Sequence, residues 1–284
     1  MSINPIAGKI NPLGESIRRH KLQIVAMLVF LLSYIPTFCW MWDRWFVRDS
    51  YYSHGVLVPF VTIFFIWKKR HELRDIAPQP SRWAIGVIAL GIGLNLISAV
   101  LRIYFTAGFS MLFVLVGFVL YFYGEKTLSK IWFPILFLIF MIPVPLALIS
   151  EVSFMMKILA AKLTVIFLNQ VGFASVRDGS VIMMKHTHVI VEDICSGLRS
   201  LISLTALGSI FAYLMKSSLT KRIILFLSTI PIAIITNVIR ISFLSIVSEI
   251  WGAQYATGLI HDLSGFIVFI SAFILLFTVE KLLA

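Results

Sequence analysis

The sequence predicts an all-α polytopic membrane protein with about eight transmembrane helices, a small extracytoplasmic β-ribbon, and an interfacial helix ahead of the helix that opens at Cys195. Composition is the first observation behind this: 60% of the 284 residues are hydrophobic and 13% are charged, against about half and a quarter in soluble domains. Recurrence is the second, because a hydrocarbon core about 30 Å thick takes roughly 20 apolar residues per spanning helix. Stretches of that kind fill nearly the whole chain and leave no room for a large soluble domain. The third is where the cations fall, since a net charge of +11 is spread beside hydrophobic stretches and not gathered into a basic domain. Such residues serve as topological anchors and contacts to anionic lipid head groups, so membrane lipids are expected partners and nucleic acid is not.

Taken in order, the spans are expected at 22–39, 54–67, 83–101, 104–122, 130–149, 195–214, 222–243 and 261–279. The basic cluster Arg18, Arg19, His20 and Lys21 precedes the first, and no small-residue cleavage site follows before Trp40 and Trp42, so it is expected to be a retained helix. Placing the N-terminus in the cytoplasm puts fifteen Lys and Arg on the inner side, including Lys9, Lys68 to Arg70 and Lys216 to Arg222. Seven fall outside, namely Arg44, Arg48, Arg102, Lys157, Lys162, Arg177 and Lys185; Arg199 and Arg240 lie within predicted helices. The bias satisfies the positive-inside rule for an inner (plasma) membrane protein with both termini cytoplasmic. Residues 151–169 are apolar but interrupted by Glu151, Lys157 and Lys162. A span there would turn the basic loop Lys216 to Arg222 outward, so a helix in the outer interface is expected, with a ninth span as the alternative.

Asp178-Gly179 is a turn dipeptide, flanked by strand-like Phe173 to Val176 and Ser180 to Met184, with His188 to Val191 following. Such backbone cannot face lipid, so the ribbon must lie above the bilayer or against protein, where it can roof a site. The organisation is thus one membrane-embedded domain over 1–284: five spans in 22–149, the outer helix and ribbon in 150–194, and three spans in 195–284.

Cysteine content excludes a disulfide framework, since Cys39 and Cys195 are the only two. Cys39, among Phe38, Trp40 and Trp42, reads as packing. Cys195 follows Glu192-Asp193-Ile194, with Asp193 a reasonable N-cap and the thiol in the first turn of a helix. A helix N-terminus and Arg199, four residues on, both favour thiolate, whereas Glu192 and Asp193 oppose it. The bland reading of Cys195 is a small packing residue, with Gly197 easing helix contact.

Arg240 follows Asn237 at helical spacing near the outer end of the seventh span. A charge inside a span carries a large free-energy cost and points to function, here several donors for an oxyanion. Its bland readings are snorkelling to head groups or an ion pair with Glu249. His261 opens the last span with a side chain suited to general acid and base work, or simply to hydration at the interface. His54 is its rival in Tyr51-Tyr52-Ser53-His54-Gly55, and His186 and His188 read as solvated strand residues; no metal set and no cofactor site is expected. The topology puts Cys195, Arg240 and His261 at one membrane face.

At Glu192-Asp193-Ile194-Cys195-Ser196-Gly197-Leu198-Arg199-Ser200, then Asn237-Val238-Ile239-Arg240-Ile241, then His261-Asp262-Leu263-Ser264-Gly265, the sequence resembles the exosortase/archaeosortase family. The blocks come in the family's order, the resemblance covers about 51–279, and histidine in the third block is similar to the bacterial exosortase branch. The resemblance implies a cysteine transpeptidase acting outside the cytoplasm on membrane-anchored proteins that end in a short motif, an apolar helix and a basic tail. Carried over, Cys195 is the nucleophile, Arg240 the oxyanion stabiliser and His261 the proton-transfer group. Arg199, Asn237, Ser196, Gly197 and His54 fall in matched blocks as supporting residues. Neither the sorting motif, such as a PEP-type signal, nor the acceptor nucleophile is legible. A second reading from composition is a transporter that uses Arg240 and His261 to handle anions or protons, with Pro143 and Pro145 breaking the fifth span.

Overall fold

A computed structural model of the chain describes residues 12–256 and 258–284; Lys9, counted above among the inner cations, lies outside them. The described chain is mostly helical, in the order α1 (Pro12–Ser33), α2 (Ile35–Phe46), α3 (Val58–Lys68), α4 (Arg70–Arg74), α5 (Ala84–Leu101), α6 (Tyr104–Phe122), α7 (Glu125–Phe137) and α8 (Leu146–Gln170). Three short strands follow, β1 (Ser175–Asp178), β2 (Val181–Met184) and β3 (His188–Ile190), then α9 (Leu198–Leu214), α10 (Leu219–Trp251) and α11 (Leu259–Leu283). Among the described residues, four helices are long and apolar enough to cross a membrane: α5, α6, α10 and Leu263–Leu283 within α11. The number rises to six if two bent helix pairs, Ile17–Ser33 with Ile35–Phe46 and Glu125–Met141 with Leu146–Gln170, each count as one span. The remaining expected spans are the shorter apolar helices Ser53–Lys68 and Leu198–Leu214.

Besides the 57° bend that interrupts the expected span 22–39 between α1 and α2, two expected spans differ in detail. The stretch 130–149 is not one helix: α7 ends at Phe137, a 3-10 turn runs Leu138–Met141, and α8 begins only at Leu146. Pro143 and Pro145 account for the break, since proline has no N–H to donate and holds the residue before it in extended backbone, as at Ile142, with ψ 112°. The second difference is at 195–214, where α9 starts at Leu198 and leaves Cys195 outside the helix.

The chain divides into two compact units, one of residues up to Trp42 with Trp67–Ile135, the other of Asp43–Ile66 with Leu136–Ala284. In the first, α5 and α6 form a tight hairpin. Gly91 lies against Val114 and Ser110, and Gly117 against Ile88, with no room for a Cβ at either glycine. Small residues let apolar helix backbones approach in lipid, where no hydrophobic force drives them together.

The second unit is built around α10, a 33-residue helix packed by α8, α9 and α11. One side of α10 is buried over Thr229, Ala233, Thr236, Asn237, Ile241, Leu244, Ser245 and Ser248. Two of its buried hydroxyls are satisfied within the helix, Thr229 donating to the Phe226 carbonyl at 2.6 Å and Thr236 to that of Ile232 at 2.8 Å, while Ser248 meets Thr187 of the β2–β3 turn at 2.8 Å. The strands form an antiparallel sheet in the order β1-β2-β3, turning at the expected Asp178-Gly179 with Gly179 at φ 59°. Ile182, fully buried, seats the sheet in a core with Leu168, Ala161, Val191, Cys195 and Ile241. The sheet therefore delivers the chain from Val191 directly to the cysteine.

Candidate active site

Cys195 closes a 3-10 turn, Asp193–Cys195, between β3 and α9. The cap of α9 is Gly197, at φ 84°, and not Asp193 as its residue type suggests. That left-handed conformation suits glycine, and a Cβ there would meet the Asn237 side chain at 3.0 Å. Helix and cysteine are thereby uncoupled: the thiol is not in the first turn of α9, and Arg199 does not share a helical face with it. The turn is tied down on several sides. Lys157 from α8 pairs with the Asp193 carboxylate at 2.8 Å, the Cys195 amide donates to the Glu192 carbonyl at 2.9 Å, and Asn237 Nδ2 donates to the Cys195 carbonyl at 2.8 Å. Asn237 is buried, so this bond reaches the cysteine from inside the bundle. Ser196, also buried, accepts from the Leu198 amide at 3.3 Å and shapes the entry to α9.

The Cys195 Sγ lies 3.7 Å from His261 Nε2. His261 sits in the first turn of α11, and the same turn brings up Ser264, three residues on and on the same face. Ser264 Oγ donates to the His261 carbonyl at 2.6 Å and accepts from Arg240 Nε at 3.0 Å, while an Arg240 terminal nitrogen donates to the same carbonyl at 3.2 Å. Gly265 lies beside the guanidinium, where an added Cβ would make an ordinary contact at 3.4 Å. Arg240 thus joins α10 to the start of α11 through two bonds. Glu249 accepts from the His186 amide at 3.1 Å, while Arg240 donates to Ser264 and to the His261 carbonyl.

Burial pushes the Cys195 thiol above its ordinary pKa; Arg240 pulls it down, Glu192 pushes it up and Arg199 pulls it down by lesser amounts. Desolvation wins, because Cys195 is 8% exposed and an anion there loses its water. The resting thiol is therefore protonated near neutral pH.

Two cavities meet at His261. One, about 290 Å³, is walled by β3, Glu192, Cys195, Leu244, the Ala253–Ala256 turn and His261. The other, about 450 Å³ and more polar, is lined by Arg48, Asp49, Arg199, Arg240, His261 and Phe269 among others. His261 is the residue through which thiol and guanidinium are linked.

The structure thus brings Cys195, His261, Arg240 and Asn237 together from three elements. Arg199 pairs with Asp49 at 3.4 Å and acts on the thiol only through its charge. His54 stands apart from the thiol, with its Nδ1 3.2 Å from Ser203 Oγ on α9, and lines neither cavity. His188 is exposed on β3, as expected, and lines the smaller cavity; His186, also exposed, lies in the turn between β2 and β3 and not in a strand. Cys39 is exposed on α2 and not packed, because the tryptophan-flanked helix presents it outward. Sequence reasoning missed the roles of Ser264, Lys157 and Asp49. Ser264 alone had a signal, its i+3 spacing from His261.

A family model described as transmembrane exosortase (Exosortase_EpsH) matches residues 42–278. No curated protein and no solved structure matches the chain.

Proposed function

The chain belongs to the transmembrane exosortase family, and from that premise we propose that it is a membrane cysteine transpeptidase working on the extracytoplasmic face. Its substrates are exported proteins held in the membrane by a C-terminal sorting signal, and it passes them through a thioester to an acceptor nucleophile or to water. In this reading the eight apolar segments cross the bilayer, the short helices Ser53–Lys68 and α9 included. The observation that carries the reading is the approach of Cys195 Sγ to His261 Nε2 at 3.7 Å, with Arg240 fastened to the His261 turn.

The chemistry follows from a protonated thiol beside an imidazole. As the sulfur bonds to the scissile carbonyl carbon, the thiol proton passes to His261 Nε2 and the carbonyl oxygen takes up negative charge. Arg240, planar and permanently charged, offers donors to that oxygen. The tetrahedral adduct collapses, the C–N bond breaks, and the imidazolium gives its proton to the departing amine. The thioester that remains divides one hard acyl transfer into two easier ones. Asn237 positions the Cys195 backbone, and Ser264 holds the Arg240 fork in register with His261.

The test uses a reporter with an exported domain, a randomised ten-residue segment, an apolar span and a basic tail, expressed with the protein. Wild type releases the exported domain from a subset of segments. Cys195→Ala, still inserted in the membrane, lowers release by about a thousandfold or more, as loss of a nucleophile does. Undiminished release from the alanine variant rejects the assignment.

The polar cavity with Arg48, Arg199 and Arg240 favours a second reading, a transporter handling anions. That reading requires anion flux in proteoliposomes that survives alkylation of Cys195.

A further inference from the structure

The register of the small sheet leaves one row of backbone groups open beside the thiol. In the β2–β3 pairing, Val191 N–H donates to the Ser180 carbonyl at 3.0 Å and Met184 N–H to that of Thr187 at 2.9 Å. Hydrogen-bonded pairs alternate along an antiparallel ladder, so Val189, opposite Ile182, is bonded to β2 as well. His188 and Ile190 fall between, in non-bonded pairs opposite Met183 and Val181, and their N–H and C=O groups turn away from β2. β3 is the last strand of the sheet, so no further strand among the described residues meets those groups. An open edge of this kind is a template for another extended chain. Most proteins blunt such an edge with a lysine, a proline or a bulge, but β3 reads His188-Val189-Ile190, with Ile190 56% exposed.

The same edge walls the 290 Å³ cavity that holds Cys195 and His261. Only Val191 to Ile194 separate β3 from the cysteine, and the turn that follows is pinned by Lys157 and Asn237. From these observations we infer that the recognition segment of the substrate binds as an added strand on the open edge of β3, through the backbone of His188 and Ile190, and is thereby led to Cys195. This deepens the transpeptidase reading and rests on it. The occupant is an extended peptide, because only a peptide backbone offers donors and acceptors at the spacing of the strand. Main-chain pairing holds it, and the cavity wall over Leu244 and Ala253–Ala256 receives every second side chain.

The test needs no knowledge of the sorting motif, since backbone pairing is indifferent to sequence. Detergent-solubilised protein is treated with acetyl-alanyl and acetyl-tetra-alanyl chloromethyl ketones, and with iodoacetamide as a probe that needs no pairing. Cys39, the exposed second thiol, is first replaced by serine in every protein compared, and labelling of Cys195 is then followed by intact mass. The longer peptide is expected to label about tenfold faster than the shorter, the return on one or two extra hydrogen bonds. Ile190→Pro removes an outward N–H and no bond to β2, a change edge strands accept. It is expected to abolish the length dependence and leave the iodoacetamide rate unchanged.

Single N-methylation along the tetra-alanyl probe, tested on wild type, is expected to slow labelling at alternate residues only. That scan decides the matter should the proline variant fail to fold. Equal rates for the two lengths, a length dependence that survives in a folded Ile190→Pro, or N-methyl effects without alternation would each overturn the added strand. None of these outcomes touches the nucleophile assignment, which stands or falls on release of the reporter by Cys195→Ala.

Discussion

Two helix pairs of this chain are held together by opposite means. The α5–α6 hairpin meets through Gly91 and Gly117 set against Val114 and Ile88, a seam of apolar and small groups. At the site end of α10 and α11 the tie is polar: Arg240 and Ser264 share the His261 carbonyl, and Arg240 also donates to Ser264. Close apolar packing is the ordinary way to join helices in lipid and carries no information about function. A guanidinium placed between helices carries a desolvation cost that a glycine seam avoids, so its retention needs another reason. In the proposed chemistry that reason is the 3.7 Å approach of thiol and imidazole at the same turn.

If the contrast is sound, substitutions at the polar tie damage turnover and substitutions at the glycine seam damage stability. The largest effect is expected from His261→Asn, which removes the proton acceptor: processing of the reporter falls by about 10²- to 10⁴-fold with thermal unfolding unchanged. Arg240→Lys keeps the charge and loses the planar fork, and a fall in turnover of about 10²- to 10³-fold with little change in KM is expected. Ser264→Ala removes one bond to Arg240 and one to the His261 carbonyl; turnover is expected to drop about three- to tenfold. Gly117→Val is the counterpart on the other seam. It lowers the unfolding temperature and leaves the rate of Cys195 alkylation as in wild type. A glycine variant that lost activity while unfolding normally would break the comparison.

The smallest effects are in pH dependence, and they sharpen the electrostatic half of the account. Burial raises the Cys195 pKa, so the thiolate fraction at neutral pH is lower than for a free thiol, and alkylation by iodoacetamide climbs with pH beyond the ordinary thiol range. Arg240 stabilises the thiolate and Glu192 opposes it. Arg240→Gln is therefore expected to move the alkylation midpoint to higher pH, and Glu192→Gln to lower pH. Shifts of the same sign in both would contradict the assigned charges.

Much of this site is legible in the sequence, for physical reasons. Arg240 betrayed itself as a cation within an apolar run, and Asn237 came with it at helical spacing. Asp178-Gly179 announced the turn of the ribbon, because few other dipeptides take that backbone so readily. Pro143 and Pro145 marked where α7 and α8 part. What stayed hidden depended on backbone choice or on distance along the chain. Asp193 is a good cap by type, yet Gly197 takes that position, where the backbone is left-handed at φ 84° and a Cβ would press on Asn237 at 3.0 Å. The Arg199–Asp49 pair joins residues 150 apart, and no local pattern encodes that. Cys39 is exposed although Phe38 and Trp40 adjoin it, because residues one apart along a helix do not face each other.

The most direct measurement is the search for a covalent intermediate on Cys195. Membranes expressing the protein with a processed reporter are quenched in acid, and the chain is analysed by intact mass before and after hydroxylamine. The account predicts a fraction carrying the mass of the cleaved exported domain, lost to hydroxylamine and absent from Cys195→Ala. Release of the domain by the alanine variant at the wild-type rate, with no such adduct in either protein, would contradict it.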